Sequence, residues 1–343
     1  MNKANGYIGI LVASRAQRKY ILRQYLKFNA APYKLFCFIP SSIDWKNRRI
    51  EGLHFIRQKW AIGRFPFPEV VYNRCYGTHR EIVERLTEMI GEKKCFNRIN
   101  QFNKLDIYDC LNQWLYDYLP DTVAYRQGNA FDQLQKHTIV YFKPFYGHKG
   151  KGVYRAELKS TGDILVGHHY FSPEVILNDG LRFEEYISNL LGSTPYVIQK
   201  GIRIRKIGGQ TFDIRALVQK NEQGLWSVTN LVSRIAFKES YNTSIYVKAR
   251  LSDDVLNRLY SPGRVDEIKT SIYNISLRTA EILDHSALYH LGEFSVDIAL
   301  DEDAHPWIIE LNGKPQKDLY HGICRRSIVY QRPIQYAKYL CRQ

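Results

Sequence analysis

Apolar positions along the chain alternate between two rhythms. "YIGILVAS" (7–14) clusters them as a buried strand does, and "RAQRKYILRQYLKF" (15–28) then spaces them helically, with Ile21, Leu22, Tyr25 and Leu26 on one face. Strands are predicted again at "KLFCFIP" (34–40) and "EVVYNRCYG" (69–77), and a helix at "THREIVERLTEMIG" (78–91), with Thr78 and Glu81 as a capping box and Gly91 as the stop. Strands alternating with helices indicate an open α/β layer over residues 1–95. The spacing predicts a helix at 103–117, an extended entry at "LPDTVAY" and a strand at "HTIVYFKP" (137–144). Further strands are expected at "YVIQKGI" (196–202), "FDIRALVQ" (212–219) and "GLWSVTNLVSRIAF" (224–237). A long amphipathic helix covers 264–286, and 291–315 reads as a hairpin around a polar turn. No internal repeat is evident.

Length and composition narrow the class. At 343 residues the chain exceeds what one core usually organises, and 45% hydrophobic residues mark it as folded. Its apolar stretches fall far short of the roughly 20 residues of a membrane helix. "YIGILVAS" resembles the apolar part of a signal peptide, but "RAQRKY" after it offers no small-residue cleavage site, so the expected location is the cytoplasm. The six cysteines are scattered without a CxxC pair and read as reduced, mostly buried thiols. Lysine plus arginine number 49 against 34 acids, a net charge of +15, which favours anionic partners. The basic residues are dispersed and no zinc-finger, RRM or homeodomain pattern occurs, so nucleic acid is disfavoured as the main ligand.

Three stretches carry chemistry. "KPFYGHKGKGVY" (143–154) ends a strand and enters a loop with Gly147, Gly150 and Gly152, where backbone N–H groups can approach an anion and Lys149 and Lys151 add charge. It is neither a Walker A loop nor a Rossmann fingerprint, and alone it would read as a hairpin turn. In "DIRALVQ", Asp213 and Arg215 share a strand face, either as a surface ion pair or with Arg215 turned to phosphate; Arg234 sits similarly in "LVSRIAF". In the hairpin, Asp297 approaches Glu310, and Asn312 shares the face of Glu310. Three oxygen ligands without sulfur or imidazole suit Mg²⁺; the alternative is a solvated edge, which the apolar flanks "VDIAL" and "WIIEL" disfavour.

In this order, "VYFKPFYGHKGKGV", "YVIQKGI", "FDIRALVQKNEQGLW" and "LGEFSVDIAL…WIIELNGKP" resemble the ATP-grasp superfamily, and most nearly its spore-coat-associated YheC/YheD-like branch. The resemblance spans roughly residues 70–320. It implies an α/β ATP-grasp fold: an N-terminal open α/β subdomain (1–95), a small lid subdomain with the Gly-rich loop (96–200) and a C-terminal antiparallel sheet with helices (201–343). By the same resemblance, Lys104 and Lys143 reach the nucleotide. Gly147, His148, Lys149, Gly150, Lys151 and Gly152 form the lid over the β- and γ-phosphates, and Gln199, Lys200 and Ile202 the linker beside adenine. Arg215 and Arg234 become the catalytic phosphate or acyl-phosphate contacts, and Asp297, Glu310 and Asn312 the Mg²⁺ ligands. Two departures stand out. Many relatives carry a Gly-Gly element after the arginine strands, where this chain has "ESYNTSIYVKARLS". The segment after Ile202 is basic, so no acidic ribose ligand is assigned.

The implied reaction joins a carboxylate to an amine with ATP and Mg²⁺. The carboxylate takes the γ-phosphoryl group, and the amine displaces phosphate from the resulting acyl phosphate. No side-chain nucleophile is required, and none is evident. A kinase of the same fold, or a weakly active ATP-binding spore-coat-associated protein, are the alternatives. The surplus positive charge points to an acidic peptide or polymer as second substrate, against the alternative of a generally basic surface.

Overall fold

The computed structural model describes residues 6–29, 33–77, 79–147, 149–286, 289–320, 322–323 and 326–343. It contains three sheets. In the first, parallel strands lie side by side in the order Lys34–Phe38, Tyr7–Leu11, Val70–Asn73, Cys95–Phe96. The hairpin Arg49–Ile56/Lys59–Pro66 extends the sheet beyond Lys34–Phe38. Helix Arg15–Leu26 turns Arg18, Leu22 and Tyr25 inward. Helix Arg80–Ile90 follows His79; position 78, and with it the expected cap, lies outside the described residues.

The second sheet is antiparallel: 175–177, 164–168, 154–158, 139–144, 196–200, 122–124. Helices Ala130–His137 and Gly180–Leu191 close one core with it through Leu134, Phe183 and Ile187.

The third sheet runs 246–251, 226–236, 210–220, 293–300, 306–312, all antiparallel. It is covered on both faces. On one lies helix Pro262–His285, started by Pro262, whose Val265, Ile268, Ile272, Ile275 and Thr279 recur at spacings of three and four. The helix Lys104–Leu115, grouped with the lid by the sequence reading, packs Ile107, Leu111 and Leu115 into this same core. Over the other face, helix Arg326–Arg342 joins Leu217 and Val232 to Ile8, Ile10 and Tyr72 of the first sheet. Eight consecutive residues, Glu293–Leu300, are therefore buried. Any charge on such a strand must find a partner inside the protein.

Candidate functional site

The second and third sheets face each other across a cleft of about 920 Å³, open to solvent on one side. Three neighbouring strands of the third sheet carry charges onto one face of it. Asp213 stands opposite Arg234, and Arg215 opposite Asp297, so side chains two apart on the central strand meet partners on both sides. Arg215 clamps Asp297 through two 2.7 Å hydrogen bonds. Arg234 donates from Nε to Asp213 at 2.8 Å, and its NH2 group reaches both Asp213 and, at 2.9 Å, Asp297. Burial opposes ionisation of Asp297, but the Arg215 and Arg234 guanidiniums outweigh it and hold the carboxyl below its usual range.

The ladder continues onto the last strand, where Asp297 pairs with Glu310. The register shifts between Asp297 and Ile298, so Ile309 is an extra residue. A bulge of this kind flips the face that follows it. Ile308 points into the core, whereas Ile309 and Glu310 both line the cleft. Asn312 lies beyond and donates to Asp297 Oδ2 at 3.2 Å. Among the described residues no three His, Cys, Asp or Glu side chains gather to hold a metal. Two carboxylates and an amide nevertheless suit Mg²⁺, which takes one or two protein carboxylates and leaves other positions to phosphates and water. The donor set fits that ion.

From the opposite wall, Lys104 and Lys143 point at these acids. Lys104 opens its helix behind the Asn103 cap and lies 3.1 Å from Glu310. Lys143 donates to Gln199 Oε1 at 2.5 Å. Burial pulls the Lys143 ammonium down to about 8, with Glu310 opposing and Lys104 reinforcing the fall. Gly147, Gly150 and Lys151 of the loop line the cleft, as do Gln199, Lys200 and Ile202. Lys149 and Gly152 stand off that wall, and His148 lies outside the described residues. Arg234 lines the cleft; Arg215 is buried behind Asp297 and acts on the cleft through it.

The segment in place of the expected Gly-Gly element also belongs to the site. Tyr241, Asn242, Thr243 and Ser244 line the cleft. Thr243 donates to Asp213 at 2.6 Å. Asn242 and His169 are 2.9 Å apart, and the Tyr241 amide donates to the His169 carbonyl, which ties the second sheet to the third. Tyr141 completes an apolar slot with Ile202, Phe212 and Ala299. The polar run Asn-Thr-Ser between two strands was the available signal for this segment; Tyr141, as one of 25 tyrosines, gave none.

A profile of YheC/D-like ATP-grasp proteins matches residues 92–340. The endospore coat-associated protein YheD of Bacillus subtilis (strain 168) is 24% identical over 332 residues, which cover 89% of this chain and 70% of that protein. Among solved structures, the D-alanine-D-alanine ligase from Coxiella burnetii superposes with a TM-score of 0.54 at 11% identity, covering 97% of this chain and 96% of the other. The ATP-grasp ligase PsnB, complexed with a minimal precursor, Mg and ADP, gives 0.52 at 12% identity, covering 98% of each. These likenesses establish an ATP-grasp fold, and with a profile match over most of its length the chain belongs to the YheC/D-like ATP-grasp family.

Proposed function

We propose that the protein is an ATP-dependent carboxylate–amine ligase that works through an acyl phosphate. The observation that carries this reading is the cleft itself, with Lys104, Lys143 and the glycine loop on one wall and Asp297 and Glu310 on the other. Family membership and the ligase neighbours support it. The slot of Tyr141, Ile202, Phe212 and Ala299 would take the adenine ring, with the 199–202 backbone along its edge. Lys143 and Lys104 would meet the phosphates, and the amides around Gly150 would cover them. Mg²⁺, held by Asp297, Glu310 and Asn312, would neutralise charge on the transferring phosphoryl group. Arg234 would face the same oxygens while Asp213 and Asp297 fix its plane. The lid, tied down at His169 and Asn242, would keep water from the acyl phosphate. A substrate carboxylate accepts the γ-phosphoryl group and ADP leaves; the amine nitrogen then attacks the acyl carbon and phosphate departs. The likeness to an endospore coat-associated protein supports a role at the spore.

The test is incubation with ATP, Mg²⁺, an acidic peptide and candidate amines, followed by mass spectrometry. ADP, free phosphate and a conjugate lighter by one water are expected. Release of AMP would overturn the mechanism, and a stable phosphorylated product would replace the ligase by a kinase. Glu310→Gln should cut turnover by about 100-fold or more. It should change stability by no more than about 1 kcal/mol, because the Lys104–Glu310 pair is partly solvated.

A further inference from the structure

At the carboxyl ends of the first sheet's parallel strands lies a second set of charges, which the cleft does not use. Arg18 sits in the first turn of helix Arg15–Leu26, on the face that also carries Leu22 and Tyr25. Arg74 and Cys75 follow strand Val70–Asn73, and Lys314 follows the hairpin strand that ends at Asn312. Arg18 lies two turns before Tyr25 on the buried face of its helix, and Tyr25 shares one groove with Arg74 and Lys314; the Arg18 and Arg74 guanidiniums both act on Cys37. That groove, of about 560 Å³, is lined by Tyr25, Arg74, Lys314, Lys317, Asp318 and Tyr330 among others.

The cations differ in how far they are used. Lys317 is committed to structure: its ammonium is 2.8 Å from Glu293 and donates to Tyr25 Oη and the Val329 carbonyl, each at 3.0 Å. Arg74 is half committed, with NH1 on Glu293 and Tyr72 but a buried Nε that has no partner. Arg18 is 9% exposed, and neither its Nε nor its NH1 meets an acceptor among the described residues. Helix Arg15–Leu26 adds its own positive end there, with no acid in its first turn and no side-chain cap from Ser14. Glu293 thus answers Arg74 and Lys317, and Asp318 on the groove wall accepts from Tyr20, while among the described residues no carboxylate pairs with Arg18 or Lys314. Buried guanidinium N–H groups without acceptors are costly unless an anion arrives.

We propose that Arg18, Arg74 and Lys314 form a receiving site for a carboxylate of the ligated substrate, one that the reaction does not consume. The role as a substrate site rests on the ligase reading above; the anion site stands on its own residues. Lys314 lies two residues beyond Asn312, and Tyr76, two beyond Arg74, donates to the Gly147 carbonyl of the lid loop at 3.2 Å. A substrate anchored here by one carboxylate reaches the phosphoryl-transfer end of the cleft with another group. The substrate class is an acidic peptide, in keeping with the net charge of +15. The place of Lys314 on the same groove as Arg74 assigns it to this site.

The experiment is calorimetric titration of the full chain with triglutamate, triglutamine, inorganic phosphate and Mg–ATP, each separately. Triglutamate should bind and triglutamine should not. Lys314→Met and Arg18→Met should each weaken triglutamate about tenfold or more, and Lys314→Arg should retain it. Mg–ATP affinity should stay within about twofold in all three variants. Arg18→Met should keep or raise the melting temperature, because it replaces an unpaired buried cation by an apolar side chain; a structural arginine would give a fall. Triglutamate binding equal in wild type and both methionine variants overturns the site, as does binding of phosphate in place of triglutamate. If Mg–ATP fails to bind while the triglutamate pattern holds, the nucleotide reading falls and the anion site stands.

Discussion

Two buried charge clusters share one strand, Glu293–Leu300, with Glu293 in one and Asp297 in the other, and they are built on opposite principles. On the third sheet, Asp213, Arg215, Arg234 and Asp297 close on one another: two carboxylates and two guanidiniums, with each guanidinium on at least one carboxylate. At the carboxyl ends of the first sheet's strands, Arg74 and Lys317 share Glu293, Arg74 Nε and Arg18 Nε and NH1 meet no acceptor among the described residues, and Lys314 adds a further positive charge on the groove wall. The closed ladder is pre-organised: its mutual hydrogen bonds fix the planes of the guanidiniums and hold Asp297 and Arg234 on the cleft wall before any ligand arrives. The open cluster is receptive, because its unpartnered N–H groups gain only when something binds. A buried network thus indicates its role by what it leaves unsatisfied.

The most severe way to break this contrast is to remove the ladder's central carboxylate. Asp297→Ala strands Arg215 and Arg234 with less than their complement of negative charge, in a place 3% exposed. A loss of about 3–5 kcal/mol is expected, the scale for breaking a buried ion pair from one side. Denaturant unfolding measures it, and ATP turnover should vanish together with stability. Charge removal at Arg18 is expected to leave stability intact, so the two clusters separate in a single pair of melting curves.

Most of the third sheet was legible in the sequence, because Asp213, Arg215 and Glu310 interrupt long apolar runs at visible spacing. Their partners were not. Alternation puts Asp213 and Arg215 on one face, but only strand register sets Arg234 against the first and Asp297 against the second. The bulge at Ile309 has no sequence mark either, and a regular strand would have turned Ile308 to the side of Glu310. The hairpin 49–66 escaped for a different reason. Its two-residue turn, Arg57-Gln58, has positive φ at both positions, 48° and 61°, where glycine or asparagine normally announces such a turn. Helix Arg326–Arg342 hides behind an internal Pro333. Arg18 looks like one more basic residue on a basic helix, and nothing local shows that it faces inward.

A smaller effect sharpens the part of the glycine loop, which meets the third sheet through Asn242. Gly150 has φ +67°, and a Cβ there would lie 2.3 Å from Asn242 Nδ2. Gly150→Ala must therefore displace either the loop or Asn242, and through Asn242 the contact with His169. The KM for ATP should rise about tenfold, while the melting temperature moves little because the loop adds little to any core. Combining it with Asn242→Gly relieves the collision but not the backbone strain, so only part of the loss should return. Full recovery would show that the collision alone matters.

The mildest test is pH, and it probes the wall opposite the ladder. Lys143 titrates near 8 in the free protein, chiefly because it is buried. Its protonated form is the one that attracts phosphate, so Mg–ATP affinity should hold up to about pH 7 and decline about three- to fivefold by pH 9. Folding stability should move the other way. The unfolded lysine keeps its proton to about pH 10, so between roughly 8 and 10 the unfolded chain binds more protons, and this group's contribution to stability rises with pH. Binding that weakens while the contribution of Lys143 to stability grows cannot be blamed on unfolding. Lys143→Met should lower affinity at pH 7 and flatten both profiles; an unchanged pH dependence of binding in that variant would move the titration to another group.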